Sequence, residues 1–158
     1  MANHQWRRHL MSDSVVVEVR GYIPSPQGSK RHVGNGVMVE SCKTVKLWRS
    51  AVADAAVRQG AIPIQGMVVA AMEFIFPRPK GHYGTGKNAS KLKPSAPDRV
   101  GVKPDLSKLI RSTEDALSGI AYSDDARICA YDRLLKRYAR PGELPGVIIR
   151  VRPYTGAG

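Results

Sequence analysis

Thirteen Asp and Glu residues stand against twenty-five Lys and Arg in this 158-residue chain, so every placed carboxylate matters. Asp105 follows Pro104 at the head of an apolar-periodic run, and the adjoining pair Asp124-Asp125 comes after that run ends. Carboxylates kept together in so basic a chain point to a cation between them. Hard divalent ions such as Mg²⁺ take oxygen ligands and suit this donor type. Beside Lys and Arg, such a site fits phosphodiester hydrolysis. The ion polarises a phosphoryl oxygen and activates water, and the basic residues hold the strands. Arg111, further along the same predicted helix, is placed to offset charge developing on the phosphate. Each residue also has a plainer role. Asp105 suits a helix N-cap, and Asp124-Asp125 suits a polar turn. Glu114 and Asp115 fall mid-helix and read as a solvated face, as do Lys108 and Arg111. His32 and His82 have no second ligand spaced with them. No Ser-His-Asp arrangement, Walker loop or paired Cys-x-x-Cys is present.

The elements that must carry these residues follow from hydrophobic periodicity. Residues 15–22 alternate as a strand, with Val15, Val17 and Val19 on one face, and Pro24-Ser25-Pro26 ends it. Residues 31–33 and 37–39 flank Gly34-Asn35-Gly36, a hairpin signal. Ser41 or Thr44 can cap a helix whose apolar positions are Val45, Trp48, Val52, Ala55 and Ala56, with Gly60 as its stop and Arg49 and Arg58 on the other side. Val68, Ala70, Met72, Phe74 and Phe76 share one face of a strand over 67–76, with Glu73 opposite. The pattern then dissolves over 78–103, a long loop with Arg78, Lys80, Lys87, Lys91, Lys93, Arg99 and Lys103 nearly unopposed, Asp98 being the one acid. It reads as a flexible insertion or as a basic arm for a phosphate backbone. A second helix spans 105–118, striped by Leu106, Leu109, Ile110, Thr113, Ala116 and Leu117. Strands over 127–138 and 147–151 close the chain. Strands and helices mix without a βαβ beat, so the expected class is α+β: a small mixed sheet with two main helices. Residues 1–14 and 154–158 read as tails around one domain over 15–153.

Composition narrows the partner. Hydrophobic residues make up 42% of the chain, enough for a core. The formal net charge of +12 and a pI near 10.1 favour a polyanion. Cys42 and Cys129 are too few for a disulfide scaffold or a zinc site. No apolar run is long enough for a membrane span. The first residues, with Trp6-Arg7-Arg8-His9, lack a signal-peptide core, which makes the cytoplasm the expected compartment.

Three runs resemble a known family: Lys103-Pro104-Asp105-Leu106-Ser107-Lys108-Leu109, Thr113-Glu114-Asp115-Ala116-Leu117, and Gly119-Ile120-Ala121-Tyr122-Ser123-Asp124-Asp125-Ala126-Arg127-Ile128. They are similar to the RusA family of Holliday-junction resolvases, in its phage-borne branch. That family's pattern is an Asp-x-Asp-Asn helix start, a basic residue along the helix, Asp-Ala-Leu near its end and an Asp-Asp pair opening the next strand. The Pro24-Ser25-Pro26 turn also resembles the family's proline-rich turn. The likeness implies a small α+β fold, a homodimer, a requirement for Mg²⁺ or Mn²⁺, and paired nicking of four-way DNA junctions in recombination and repair. By position it implies Asp105 and Asp125 as catalytic metal ligands, Arg111 in place of the catalytic lysine, and Asp124 beside the later aspartate. The loop lysines and arginines with Lys108 would bind DNA, in the host cytoplasm for a phage-borne chain.

One departure divides the functional expectations. The family's second aspartate is Ser107 here and the following Asn is Lys108. Serine is a neutral oxygen donor, weaker than carboxylate for Mg²⁺. Asp124, Glu73 or Glu114 then completes the metal set, or the chain is a non-catalytic junction or duplex DNA binder. A restriction-type nuclease is disfavoured, because no Asp-x-Lys or Glu-x-Lys occurs.

Overall fold

The computed structural model describes residues 13–28, 30–32, 35, 38–40 and 44–156. Residues 1–12 of the expected tail over 1–14, Gly34 and Gly36 of the hairpin turn, and the cap at Ser41 lie outside the described residues.

A four-stranded mixed sheet and two helices make up the core, an α+β arrangement. The sheet order is β1 (Val15–Arg20), β6 (Gly146–Pro153), β4 (Val68–Phe76), β5 (Ile128–Tyr138). β6 is antiparallel to both neighbours, whereas β5 runs parallel to β4. Two short strands, β2 (Lys30–His32) and β3 (Met38–Glu40), pair antiparallel as the hairpin signal requires. Helix α1 spans Val45–Arg58 and α2 spans Leu106–Leu117.

Alternation fixes which sheet face meets the helices. Val68, Ala70, Met72, Phe74 and Phe76 are all buried, and so are Val17 and Val19 of β1 and Val147, Ile149 and Val151 of β6. From above them come Trp48, Val52, Ala55 and Ala56 of α1, then Leu109, Thr113 and Leu117 of α2. The two helices are pinned to each other inside the core, where Trp48 Nε1 donates to Thr113 Oγ1 at 3.1 Å. Arg49 falls on this seam too, bonding Gln27 at 2.7 Å and Asp115 at 3.2 Å. The sequence put Arg49 on a solvated face. A long side chain leaving the helix edge can reach acceptors on both neighbours, which periodicity does not register.

α1 stops at Gln59 and Gly60, the latter with φ +79°, the left-handed geometry that glycine adopts freely. The Gln59 amide then pairs with the backbone of Glu18, accepting from its N–H at 2.8 Å and donating to its carbonyl at 2.7 Å. That satisfies part of the outer edge of β1. Gly146 opens β6 against Val19, where a Cβ would lie 1.7 Å from the Val19 carbonyl oxygen, so no side chain fits.

The basic loop is internally bonded. Short 3₁₀ turns at Lys80–His82 and Gly86–Asn88 are tied by Gly84 N–H to the Lys91 carbonyl and by Lys93 N–H to the His82 carbonyl, both at 2.9 Å. Its end crosses to β5 through Val100 N–H to Lys136 and Tyr138 N–H to Asp98. Arg78 lies over the Tyr138 ring, 5.1 Å from its centroid, with His82 edge-on to the same ring. Low apolar periodicity concealed this order, because backbone pairing supplies it. No helix among the described residues is long and apolar enough to cross a membrane.

Replacing Thr113 with Val removes the acceptor for a buried indole N–H while keeping shape. Urea denaturation of Thr113→Val is expected to show a loss of about 1–3 kcal/mol. An unchanged midpoint would mean that this bond does not hold α1 on α2.

Candidate functional site

Asp105 occupies the N-cap position of α2 in extended conformation (φ −66°, ψ 135°), yet its side chain makes no capping hydrogen bond. The carboxylate stays exposed and faces Lys108 at 3.7 Å. The capping role expected from residue type is thus not taken up. Backbone around it is held by Lys136 of β5, whose Nζ donates to the carbonyls of Val102 and Pro104 at 2.6 and 2.7 Å. The proline turn closes the other side: Ser112 Oγ donates to the Ser25 carbonyl at 2.7 Å, and Gln27 N–H to the Lys108 carbonyl at 3.0 Å. An open cleft results, lined by Pro26, Lys103, Pro104, Asp105 and Lys108. Two lysines on the cleft, one of them facing the Asp105 carboxylate, suit a phosphate-bearing ligand. Ser107 is exposed in the first turn beside it.

The Asp124-Asp125 pair lies elsewhere. After α2 the chain folds back on the helix, and the buried Tyr122 donates its hydroxyl to the Glu114 carbonyl at 2.9 Å. Asp124 then caps a 3₁₀ turn over Asp125–Arg127, accepting from the Ala126 N–H at 2.8 Å. Asp125 is left exposed beside it. Glu114 is half-buried, and Tyr131 of β5 donates its hydroxyl to the Glu114 carboxylate. Burial first, then the charges of Asp125 and Asp115, push the Glu114 carboxyl up to about 7, with Arg111 acting against them. The Asp125 carboxyl is also raised, by partial desolvation, by its hydrogen bond with Asp124, and by the charges of Asp124 and Asp115. Burial, then Glu114 and the nearby aspartates, raise Tyr122 as well.

α2 therefore carries acids at both ends. Nine residues separate Asp105 from Glu114, a rise of about 13 Å along the helix. β5 repeats this separation: its start follows Asp125 and its far end, at Lys136, touches Pro104. Ser107, Arg111 and Glu114 recur at helical spacing and form a stripe from one end to the other. Among the described residues, no group of three or more His, Cys, Asp or Glu is disposed to hold a metal ion. Among the described residues, the donors at neither end of α2 make a complete cation site by themselves.

The expected DNA-contacting residues Lys80, Lys87, Lys91, Lys93, Arg99, Lys103 and Lys108 are all exposed. Three have partners: Lys93 donates to the Gly81 carbonyl at 2.8 Å, Arg99 faces Asp98 at 3.8 Å and Lys108 faces Asp105. Glu73, considered as a completing ligand, is bound instead by Arg137 Nε on the opposite sheet face. Of the two roles the sequence leaves open for Glu114, a solvated mid-helix face and a completing ligand two turns from Ser107, the half-buried carboxylate beside Asp125 departs from the first. Lys136 had no signal in the sequence, since only the sheet register sets it under Pro104.

Residues 21–152 match the family model described as endodeoxyribonuclease RusA. No curated protein matches the chain.

The Glu114 shift has a definite sign for stability. Its carboxyl rises from an ordinary 4.5 to about 7, so between those values the folded chain holds a proton the unfolded chain has released. This contribution is full below pH 4.5 and fades as pH rises through 7. Glu114→Gln, melted in urea with EDTA present, is expected to flatten that slope. At about pH 8 it should exceed the parent by about 1 kcal/mol, after allowance for solvent screening. A parallel pair of profiles would place Glu114 in ordinary solvent.

Proposed function

Because the chain belongs to the endodeoxyribonuclease RusA family, we propose that it resolves four-way junctions and other branched DNA by paired nicking, as a homodimer using Mg²⁺ or Mn²⁺, in the cytoplasm. The distribution of oxygen donors along α2 carries this reading. Asp105 with Ser107 stands at one end, and Glu114, Asp124 and Asp125 at the other. Neither set is a cage by itself. A two-fold axis that sets the Asp105 end of one protomer against the Asp125 end of a second copy joins the sets, and does so twice. Two equivalent centres suit a junction of near two-fold symmetry that needs two cuts.

A divalent cation bound there supplies Lewis-acid polarisation of the scissile phosphate. The chain's own residues do the remaining work. Lys103 and Lys108 border Asp105 and take the phosphates next to the scissile one. Arg111, on the stripe between the two donor sets, opposes negative charge as it builds on the phosphate. Asp124 positions Asp125 by capping the turn. Lys80, Lys87, Lys91, Lys93 and Arg99 hold the DNA arms along the ordered loop. The second reading, a non-catalytic junction or duplex binder, is favoured by the exposed hydroxyl of Ser107 where the family carries a carboxylate.

Complementation separates these readings on a synthetic four-way junction with Mg²⁺. Asp105→Asn and Asp125→Asn should each abolish nicking while junction binding remains. Mixed and allowed to exchange, the two variants regain one intact centre per heterodimer, so single nicks return without paired cleavage. No return of nicking means that the centre does not cross protomers. Wild-type chain that binds the junction without cutting at any Mg²⁺ concentration leaves the binder.

Ser107→Asp provides an independent check. It should lower the Mg²⁺ concentration needed for half-maximal nicking about tenfold, by one added carboxylate ligand. An unchanged Mg²⁺ requirement would exclude Ser107 from the donor set.

A further inference from the structure

We infer that Arg133 and Arg150 form a phosphodiester clamp on the sheet face away from the helices, a second DNA-contact surface distinct from the acids of α2. This rests on DNA being the substrate, as proposed above. Helices α1 and α2 cover one face of the sheet, and the alternate residues of its strands point to the other. On that second face Ala71 of β4 pairs with Arg133 on one side and Arg150 on the other. Adjacent strands lie about 4.8 Å apart, which puts the two arginine backbones about 10 Å apart with a methyl group between them. The side chains border an open cleft lined by Ala71, Met72, Glu73, Arg133, Ile148 and Arg150.

Charge on this face is unevenly satisfied. Glu73 is bound by Arg137 Nε, Asp132 by Arg152 at 2.7 and 2.9 Å, and Glu18 faces Arg20 at 3.8 Å. Arg133 and Arg150 are exposed, and among the described residues neither side chain has an ion pair or a hydrogen bond. The surplus is therefore two guanidinium groups held at fixed register on a rigid sheet. A second copy of the same face would oppose them with like charge. A polyanion supplies what is missing, and paired planar forks match the two non-bridging oxygens of a phosphodiester. Glu73 is the one carboxylate lining the cleft, and its bond to Arg137 offsets its repulsion. Tyr131 reaches α2 from the other face, so DNA on this clamp belongs to a different arm from DNA at Asp105.

The test is the salt dependence of junction binding by the full chain and by an Arg133→Gln/Arg150→Gln double variant. Each lost phosphate contact lowers the slope of log K against log salt by about 0.9. The double variant should lose about one to two units of slope and bind the four-way junction at least about tenfold more weakly near 0.1 M salt. Arg133→Lys/Arg150→Lys keeps the charge, so it should retain most of the slope and lose affinity through the missing fork geometry. If wild type binds the junction and the Gln variant matches it in slope and affinity, the clamp is wrong and the nuclease reading stands. If wild type binds no DNA, both fall. If the Gln variant changes sedimentation while its DNA affinity holds, the face joins copies of the chain and the clamp is overturned.

Discussion

The buried hydroxyl of Tyr122, fixed on the Glu114 carbonyl, sets where Asp124-Asp125 of the candidate site emerges. A phenol removed from water needs a polar partner, and the last turn of α2 offers a carbonyl at the right depth. Two further backbone bonds support the same reversal, from Gly119 N–H to the Tyr122 carbonyl at 2.7 Å and from Ile64 N–H to the Ala121 carbonyl at 2.9 Å. The chain therefore leaves α2 doubled back on it, and Asp124-Asp125 emerges beside Glu114. With this reversal in place, α2 is a spacer that holds two sets of oxygen donors apart.

Electrostatics sorts the remaining acids by whether a cation already holds them. Glu143 accepts from Arg137, and that bond brings its carboxyl down to about 2. Asp132 is lowered likewise by its hydrogen bond from Arg152. These carboxylates are satisfied and stay ionised. Glu114 and Asp125 shift the other way, because burial and mutual repulsion have no comparable counter-charge nearby. In a chain of net charge +12, leaving acids short of cations at one corner while two arginines lack acids on the far sheet face separates charge across the molecule. That separation suits a protein that meets a polyanion on several sides.

The scaffold was largely legible because it rests on periodicity. The five alternate apolar residues from Val68 to Phe76 are buried as their spacing requires, and the α2 stripe faces the core. Asp105 and Asp124-Asp125 could be singled out because acids are rare here. What could not be read was distance. Whether Asp105 and Asp125 share one ion, as the sequence reading requires, depends on how the chain turns after α2, and that turn is set by tertiary contacts such as the Tyr122 bond. Lys136, beneath Pro104, and the Arg133–Ala71–Arg150 row were hidden for the same reason, since both depend on which strand lies beside which. Two register shifts between β4 and β5 moved Arg133 onto Ala71's row, and strict alternation would not have put it there.

The strand order also sets the sequence of assembly. β6 lies between β1 and β4, although it follows both in the chain by a long interval. Until residues 146–153 have been synthesised, β1 has no partner in the sheet and Val17, Phe74 and Met72 lack half of their cover. Contacts this distant in sequence form slowly, because loop closure must precede them. A partly translated chain therefore lacks the strand that joins β1 to β4, and the sheet that carries α2 is completed only when the last described strand arrives.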